Sequence, residues 1–387
     1  MKNRKLLMIP GPIEFTPEVL GAMGLPTTSH VAPNFINVCG EALELMRQVF
    51  LSPTGQPFIM AGSGTLAMDM AAANLIEEGD GVLVVNTGYF SDRFAKIAQR
   101  YGAKVTEVRA SVVGDVPSAD DVEKALKSGS FKIMTLTHVD TSTAVCVDIK
   151  KLAHIARSYG VLSVVDGVCS VAGEELRQDE WGVDIALTAS QKAIGVPPGL
   201  ALVMASPKAM EAFRNRTSPV RNFYADWNEW LPIMKAYEER RPSYFGTPAV
   251  NLVWALNVSL KQIGEEGMEK RVARHKRISR AFKDAMRALG LKQVPLSDEK
   301  SATTLSGVYY PDGTDSSLLK HIGDAGVIVA GGLHPQIKDK YFRVGHMGAV
   351  NGSDILSTIG AIETALVKSN YKFDKGRGLQ AAAAILE

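Results

Sequence analysis

Two residues of this 387-residue chain could share covalent and proton chemistry, Asp166 and Lys192. Asp166 ends the apolar run Leu162-Ser163-Val164-Val165, which reads as a buried strand. Lys192 follows a second such run, Val183-Asp184-Ile185-Ala186-Leu187-Thr188-Ala189-Ser190-Gln191. It precedes the turn Gly195-Val196-Pro197-Pro198-Gly199. Two neighbouring parallel strands would deliver both groups to one edge of an open sheet, where α/β proteins place their ligands. There the amine can form a Schiff base with an aldehyde while the carboxylate keeps a pyridine nitrogen protonated. That is the chemistry of pyridoxal phosphate. Taken singly, Asp166 is more simply a helix cap and Lys192 a solvated loop residue.

A ligand of this kind needs an anion site, and one turn upstream has the right form. Phe58-Ile59-Met60 reads as a strand, Ala61-Gly62-Ser63-Gly64-Thr65 as a turn and 66–76 as a helix. Free backbone N–H groups and the helix dipole can hold a phosphate there, with Ser63 and Thr65 adding hydroxyls. Gly62, Gly64 and Ala67 also fit the dinucleotide pattern G-x-G-x-x-A. A nicotinamide enzyme would want an acid after the following strand, whereas 82–85 ends in Asn86-Thr87-Gly88. With no G-K-[ST], a nucleotide P-loop is excluded too, and a single phosphate monoester is the better ligand. A turn that only packs helix on strand is the plain alternative.

Other candidates fall at strand ends. Tyr89 and Phe90 could stack on a flat ring, or be core. His138-Val139-Asp140-Thr141-Ser142-Thr143 offers hydroxyls to a cofactor, or turn chemistry that starts the helix 149–159. Arg343, in Tyr341-Phe342-Arg343-Val344-Gly345, could hold a carboxylate by a two-pronged pair. An exposed arginine is the commoner case. His30 sits in a loop, where histidines are more often local hydrogen-bonders than catalysts.

The positioning elements alternate strand and helix as far as residue 204, the pattern of an α/β fold. Residues 33–50 form an amphipathic helix with Phe35, Val38, Ala42, Leu45, Met46 and Val49 on one face. Residues 219–248 are rich in aromatics, Pro and Arg with weak periodicity. They read as an interface or a covering of the site rather than a core element. From residue 266 onward, after which a long amphipathic helix spans 267–289, short strands and helices suggest a smaller α+β domain. The tail after 368 is expected to be loosely ordered.

Composition narrows the partners. The 43 basic and 41 acidic residues lie in no long runs, which argues against nucleic acid or an anionic membrane. Cys39, Cys146 and Cys169 lack C-x-x-C spacing and fit a reducing compartment. The histidines lack close metal-ligand spacing, so no metal is expected. No apolar stretch spans a bilayer and the first seven residues are too short an apolar run for a signal peptide. The cytosol is therefore expected.

In their joint order these motifs resemble the class V, fold-type I, pyridoxal-phosphate aminotransferases, most closely those acting on alanine with glyoxylate or serine with pyruvate. The resemblance spans Pro10-Gly11-Pro12 to Arg343-Val344-Gly345. It runs through Ala61 to Thr65, His138 to Thr143, Val165-Asp166-Gly167, Ala189-Ser190-Gln191-Lys192 and Tyr244-Phe245-Gly246-Thr247-Pro248. It implies a large domain, 16–265, with a mostly parallel seven-stranded sheet, a small domain, 266–387, and an N-terminal arm, 1–15. It implies that Lys192 is the Schiff-base lysine and proton shuttle, and that Asp166 pairs with the pyridinium. Ser63, Gly64, Thr65 and Gln191 would hold the phosphate, Phe90 would stack on the ring and Thr141 would lie near the phenolic oxygen. Tyr244 and Thr247 would reach the phosphate of a neighbouring subunit, making a homodimer necessary. Arg343 would bind the substrate carboxylate, and Gly11 would leave room only for small side chains. Ping-pong kinetics through pyridoxamine phosphate follow.

Two relatives on the same scaffold are disfavoured by the residues. A cysteine desulfurase needs a mobile loop cysteine, which none of the three provides. A 2-aminoethylphosphonate transaminase needs a cationic pocket, and 25–33 contains no Arg or Lys.

Overall fold

In the computed structural model, residues 4–387 are described; residues 1–3 of the expected N-terminal arm lie outside them. Seven strands build the main sheet: β1 (Gln56–Ala61), β2 (Gly81–Asn86), β3 (Lys104–Arg109), β4 (Ile133–Thr137), β5 (Leu162–Asp166), β6 (Ile185–Ala189) and β7 (Leu200–Ala205). Their order is β1-β7-β6-β5-β4-β2-β3. Only β7 runs against the rest, pairing antiparallel with both β1 and β6. Every residue of β4, β5, β6 and β7 is buried. Helices covering both faces of a parallel sheet require such uninterrupted apolar runs. Strands β5 and β6 are parallel neighbours in which Asp166 opposes Leu187. Asp166 also faces Thr137 on β4. The mostly parallel seven-stranded α/β sheet that the sequence predicts is thus present, and the ends of β5 and β6 lie side by side.

Three helices matter to the site. Helix α1 (Pro33–Val49) buries Phe35, Ala42, Met46 and Val49, as its spacing predicts. Helix α2 (Gly64–Leu75) leaves β1 through Gly62-Ser63. Helix α3 (Tyr89–Arg100) leaves β2 through Thr87-Gly88. A side chain at Gly88 would meet Asp140 and Ser142 at 3 Å or less, so only glycine lets these two loops touch.

The stretch 219–248 corrects one expectation. It contains helix α4 (Trp227–Glu238), whose Trp227, Trp230 and Tyr237 are among the largest fully buried side chains. Trp227 stacks on Phe58 of β1 at 5.1 Å and meets Phe213 edge-on. Asn74 fastens the helix start, accepting from the Trp227 amide and donating to the Ala225 carbonyl. The helix is hard to read in the sequence because half of its buried face is aromatic and Pro232 stands inside it. The exposed aromatics, Phe223 and Tyr244 among them, fall in the flanks of the helix.

A second core surrounds an antiparallel sheet of β8 (Leu305–Tyr309), β9 (Ala330–Gly331) and β10 (Tyr341–Gly345), in the order β8-β10-β9. Helix α5 (Met268–Ala288) joins the two cores. Met268 packs on the first, whereas Ile278, Phe282 and Met286 belong to the second. The tail also departs from expectation: Arg377–Leu386 is a helix, α7, following α6 (Gly352–Lys368). Glu363 of α6 accepts from the amides of Gly376, Gly378 and Leu379, which fixes the start of α7. An acid at that end also suits the helix dipole. The chain start docks on the second core, with Leu6–Leu7 parallel to Val327–Ile328. From there Pro10 and Gly11 pass to the main sheet, where the Ile13 amide donates to the Gln191 carbonyl. None of the described helices is long and apolar enough to cross a membrane.

Candidate active site

A cavity of about 240 Å³ lies at the ends of the parallel strands. Gly11, Ser63, Gly64, Thr65, Phe90, Thr141, Asp166, Gln191 and Lys192 all line it. Nine of the twelve residues proposed from sequence are therefore brought together. A larger open groove, about 940 Å³, runs past Arg109 and Lys300. There Arg109 pairs with Asp92 and Glu107 and Lys300 with Asp115, and none of the twelve residues proposed from sequence lines it.

Lys192 is buried, and its Nζ donates to the Pro10 carbonyl. The turn beneath it is held from several sides. Ser190 Oγ donates to the Pro197 carbonyl and accepts from the Leu200 amide. Arg271 of α5 then binds both key loops at once. Its Nη2 donates to Ala193 O at 2.7 Å and its Nε to Ala172 O at 2.8 Å. The first carbonyl follows Lys192 directly and the second closes the turn after Asp166. Asp166 itself is buried and accepts from the Val168 amide at 3.0 Å. Burial pushes its carboxyl up to about 6, opposed by the Val168 amide and by the charges of Lys192 and Arg93. A cationic partner at this carboxylate would restore its ionised form.

Ser63 is the N-cap of α2, yet its side chain makes no capping bond, so the hydroxyl is free for a ligand. A Cβ at Gly64 would lie 2.7 Å from Val168, which leaves glycine as the residue that lets the helix start approach the turn after Asp166. Gln191 presents a buried amide oxygen that no group in the described chain satisfies. Phe90 begins α3, and its amide donates to Asp140 at 3.2 Å. Asp140 also accepts from the Ser142 hydroxyl and amide, tying the Phe90 loop to the Thr141 loop.

Arg343 lies outside the cavity lining but close behind it. Its Nε donates to Gly331 O at 2.8 Å and its Nη1 to Thr141 O at 3.3 Å. Among the described residues no carboxylate pairs with it, and burial pushes its guanidinium below its ordinary value. A desolvated arginine without an anion favours taking one up. Tyr244 and Thr247 do not line this cavity. Tyr244 is 62% exposed and its ring lies 5.1 Å from that of His30.

Sequence reasoning missed Arg93, Asp140 and Arg271. Arg93 lines the cavity and stands one helical turn after Phe90, so the i, i+3 rule could have found it. Asp140 was within the polar cluster but only its hydroxyl neighbours were weighed. Arg271 carries no local signal, because its partners are 78 and 99 residues away.

A family model described as aminotransferase class-V matches residues 21–347. The chain belongs to this family. It is 41% identical over 360 residues to alanine–glyoxylate aminotransferase 1 of Saccharomyces cerevisiae, covering 90% of this chain and 93% of that one. It is 31% identical over 398 residues to a serine–glyoxylate aminotransferase of Arabidopsis thaliana, covering 100% and 96%. Among solved structures, the alanine–glyoxylate aminotransferase of a Nostoc species superposes with a TM-score of 0.88 at 32% identity, covering 95% and 96%. The fold is thus that of a fold-type I aminotransferase, and the reaction is transamination with pyridoxal 5′-phosphate. The cavity fits that cofactor by its own chemistry. It offers a buried amine, a buried acid, an uncommitted hydroxyl at a helix N-terminus and an unsatisfied carboxamide. Of the three cysteines only Cys169 lines the cavity, where it is buried; burial pushes the Cys39 thiol up to about 12 and that of Cys146 well above its usual value.

Proposed function

We propose that this chain moves the amino group of a small amino acid, alanine or serine, to a small 2-oxo acid, glyoxylate or pyruvate. The observation that carries the reading is the meeting of Lys192 and Asp166 at adjacent strand ends inside one cavity. Bound cofactor would supply the aldehyde and an electron-accepting ring. Lys192 would hold the aldehyde and, as a free amine, would carry the proton at the substrate Cα. Asp166 would keep the ring nitrogen protonated. Ser63, Gly64, Thr65 and Gln191 would hold the phosphate, Phe90 would stack on the ring, and Thr141 would serve the phenolic oxygen.

Arg343 binds the substrate carboxylate, a role that its unpaired guanidinium supports. Small substrates are favoured because Pro10 and Gly11 stand against the lysine. The names of the relatives support the alanine, serine and glyoxylate assignments. A homodimer completes the site, with Tyr244 and Thr247 directed to a neighbouring subunit; the exposure of Tyr244 supports this. The three unpaired cysteines support a cytosolic location.

A half-reaction panel tests the proposal. Alanine and serine, added singly to the cofactor-loaded protein, should convert the lysine-bound cofactor to its amino form, followed by absorbance. Glyoxylate or pyruvate should reverse the change. If larger or acidic amino acids react faster than both small donors, the substrate assignment is wrong. If Lys192→Ala leaves the absorbance band in place, the lysine is wrong.

A further inference from the structure

The proposed phosphate site contains a charge deficit. A phosphate monoester carries about −1.5 to −2 at neutral pH. Ser63, Thr65 and Gln191 are neutral, and a helix N-terminus contributes only about half a positive charge. Asp166 is offset by the protonated ring nitrogen and leaves the phosphate charge unbalanced. Two cations line the cavity, Lys192 and Arg93, and the first is committed to the aldehyde.

Arg93 stands at the phosphate end. Its Nη1 donates to Thr65 Oγ1 at 2.8 Å, and that is the only hydrogen bond it makes among the described residues. It has no carboxylate partner there either, so most of its five N–H donors remain uncommitted. The guanidinium also lies over aromatic rings, 4.8 Å from the centre of Phe90 and 5.3 Å from that of Tyr89. A half-buried cation–π contact of this kind is worth little enough to be exchanged for a charge-assisted contact. A guanidinium and a stacked pyridine ring cannot share one face of Phe90, so a ring entering on the face that Arg93 covers would turn the guanidinium away. Thr65, to which Arg93 is already bonded, lies within the phosphate turn.

We propose that Arg93 is a cofactor-binding residue that yields the face of Phe90 to the pyridine ring and supplies the positive charge of the phosphate site beside Thr65. The inference rests on the pyridoxal-phosphate reading above and deepens it. A planar fork of donors suits a phosphate better than a point charge does.

The test uses the full chain freed of cofactor and compares two aldehydes, pyridoxal phosphate and pyridoxal. Affinity and association rate are read from the absorbance of the lysine-bound aldehyde. Arg93→Gln should weaken pyridoxal phosphate by about tenfold or more, the effect of losing one charge-assisted contact. Pyridoxal, lacking the phosphate, should bind the variant as well as the wild type or more tightly, because its competitor for Phe90 is gone. Arg93→Lys should recover part of the loss. Inorganic phosphate should slow pyridoxal phosphate binding in the wild type more than in Arg93→Gln. Equal losses for the two aldehydes would assign Arg93 a merely structural role and overturn the proposal. No loss for either would do the same. Failure of the wild type itself to bind pyridoxal phosphate at Lys192 would instead refute the underlying cofactor reading, and Arg93 with it.

Discussion

Gly11→Ala tests how closely the chain start is fitted to the reactive amine. Gly11 has φ +100, a conformation that an L side chain adopts only with strain. The backbone change alone costs about 1–2 kcal/mol. The new Cβ would sit 2.5 Å from Lys192 Cδ, 2.8 Å from Cε and 3.0 Å from Nζ. Ordinary contact begins at 3.4 Å, a shortfall of about 0.9 Å at the closest atom. The lysine tip is flexible and gives way before the backbone does, so Nζ leaves the Pro10 carbonyl by a comparable distance. A misplacement of about 1 Å at a reacting group can cost on the order of 100-fold in rate. We therefore expect kcat for alanine with glyoxylate to fall by about two orders of magnitude. The melting temperature should drop by only a few degrees, and the cofactor should stay bound through its phosphate. Steady-state kinetics, an absorbance titration of the lysine-bound cofactor and a thermal melt measure all three. A variant with lowered melting temperature and an undiminished kcat would show that Gly11 is kept for the fold and that Lys192 has room to spare.

Three further outcomes are expected. Asp166→Asn should retain cofactor but lose most turnover. In cofactor-free protein it should also be more stable than the wild type at pH 7.5. Between the unfolded carboxyl value near 3.9 and the folded value of about 6, the folded chain holds a proton that the unfolded chain has lost. Stability therefore falls as pH rises through that window, by on the order of 3 kcal/mol, and Asn removes the penalty. Urea unfolding at pH 4 and 7.5 measures this; a constant gap between the two proteins would contradict it. Arg343→Ala should lower kcat/KM for the amino acid by roughly 100-fold or more while the bound-cofactor spectrum is unchanged. Loss of cofactor would put Arg343 in a different role. Arg271→Met should cost about 3–5 kcal/mol in denaturant unfolding, because it strips two buried carbonyls of a donor and leaves Glu266 to Arg274 alone. It should also shift the pH titration of the lysine-bound cofactor. A stable variant with an unshifted titration would show that the two loops hold their spacing without it.

Much of the sheet was legible because a strand covered by helices on both faces must be apolar along its whole length. The runs 162–165 and 183–189 are apolar but for Ser163, Asp184 and Thr188, and they lead directly to Asp166 and, three residues on, to Lys192. The glycine turn before α2 was legible for a related reason: strand, turn and helix in that order leave donors free. Helix α4 was not, since half of its buried face is aromatic and Pro232, a helix breaker, stands inside it on the exposed side. The closing helix α7 was hidden likewise, because its anchor is the carboxylate of Glu363, thirteen residues upstream of the first amide it holds.

The sequence by itself determined which groups are reactive and which strand ends carry them, because side-chain chemistry and continuous apolar runs are local properties. Only the tertiary structure decided their distances. Arg271 reaches across 78 and 99 residues to join the Lys192 and Asp166 loops. Pro10 and Gly11 arrive from the second core to press on the amine. Arg93, on α3, reaches across to Thr65 at the start of α2. Such contacts depend on packing between segments far apart in the chain, and no local pattern encodes them.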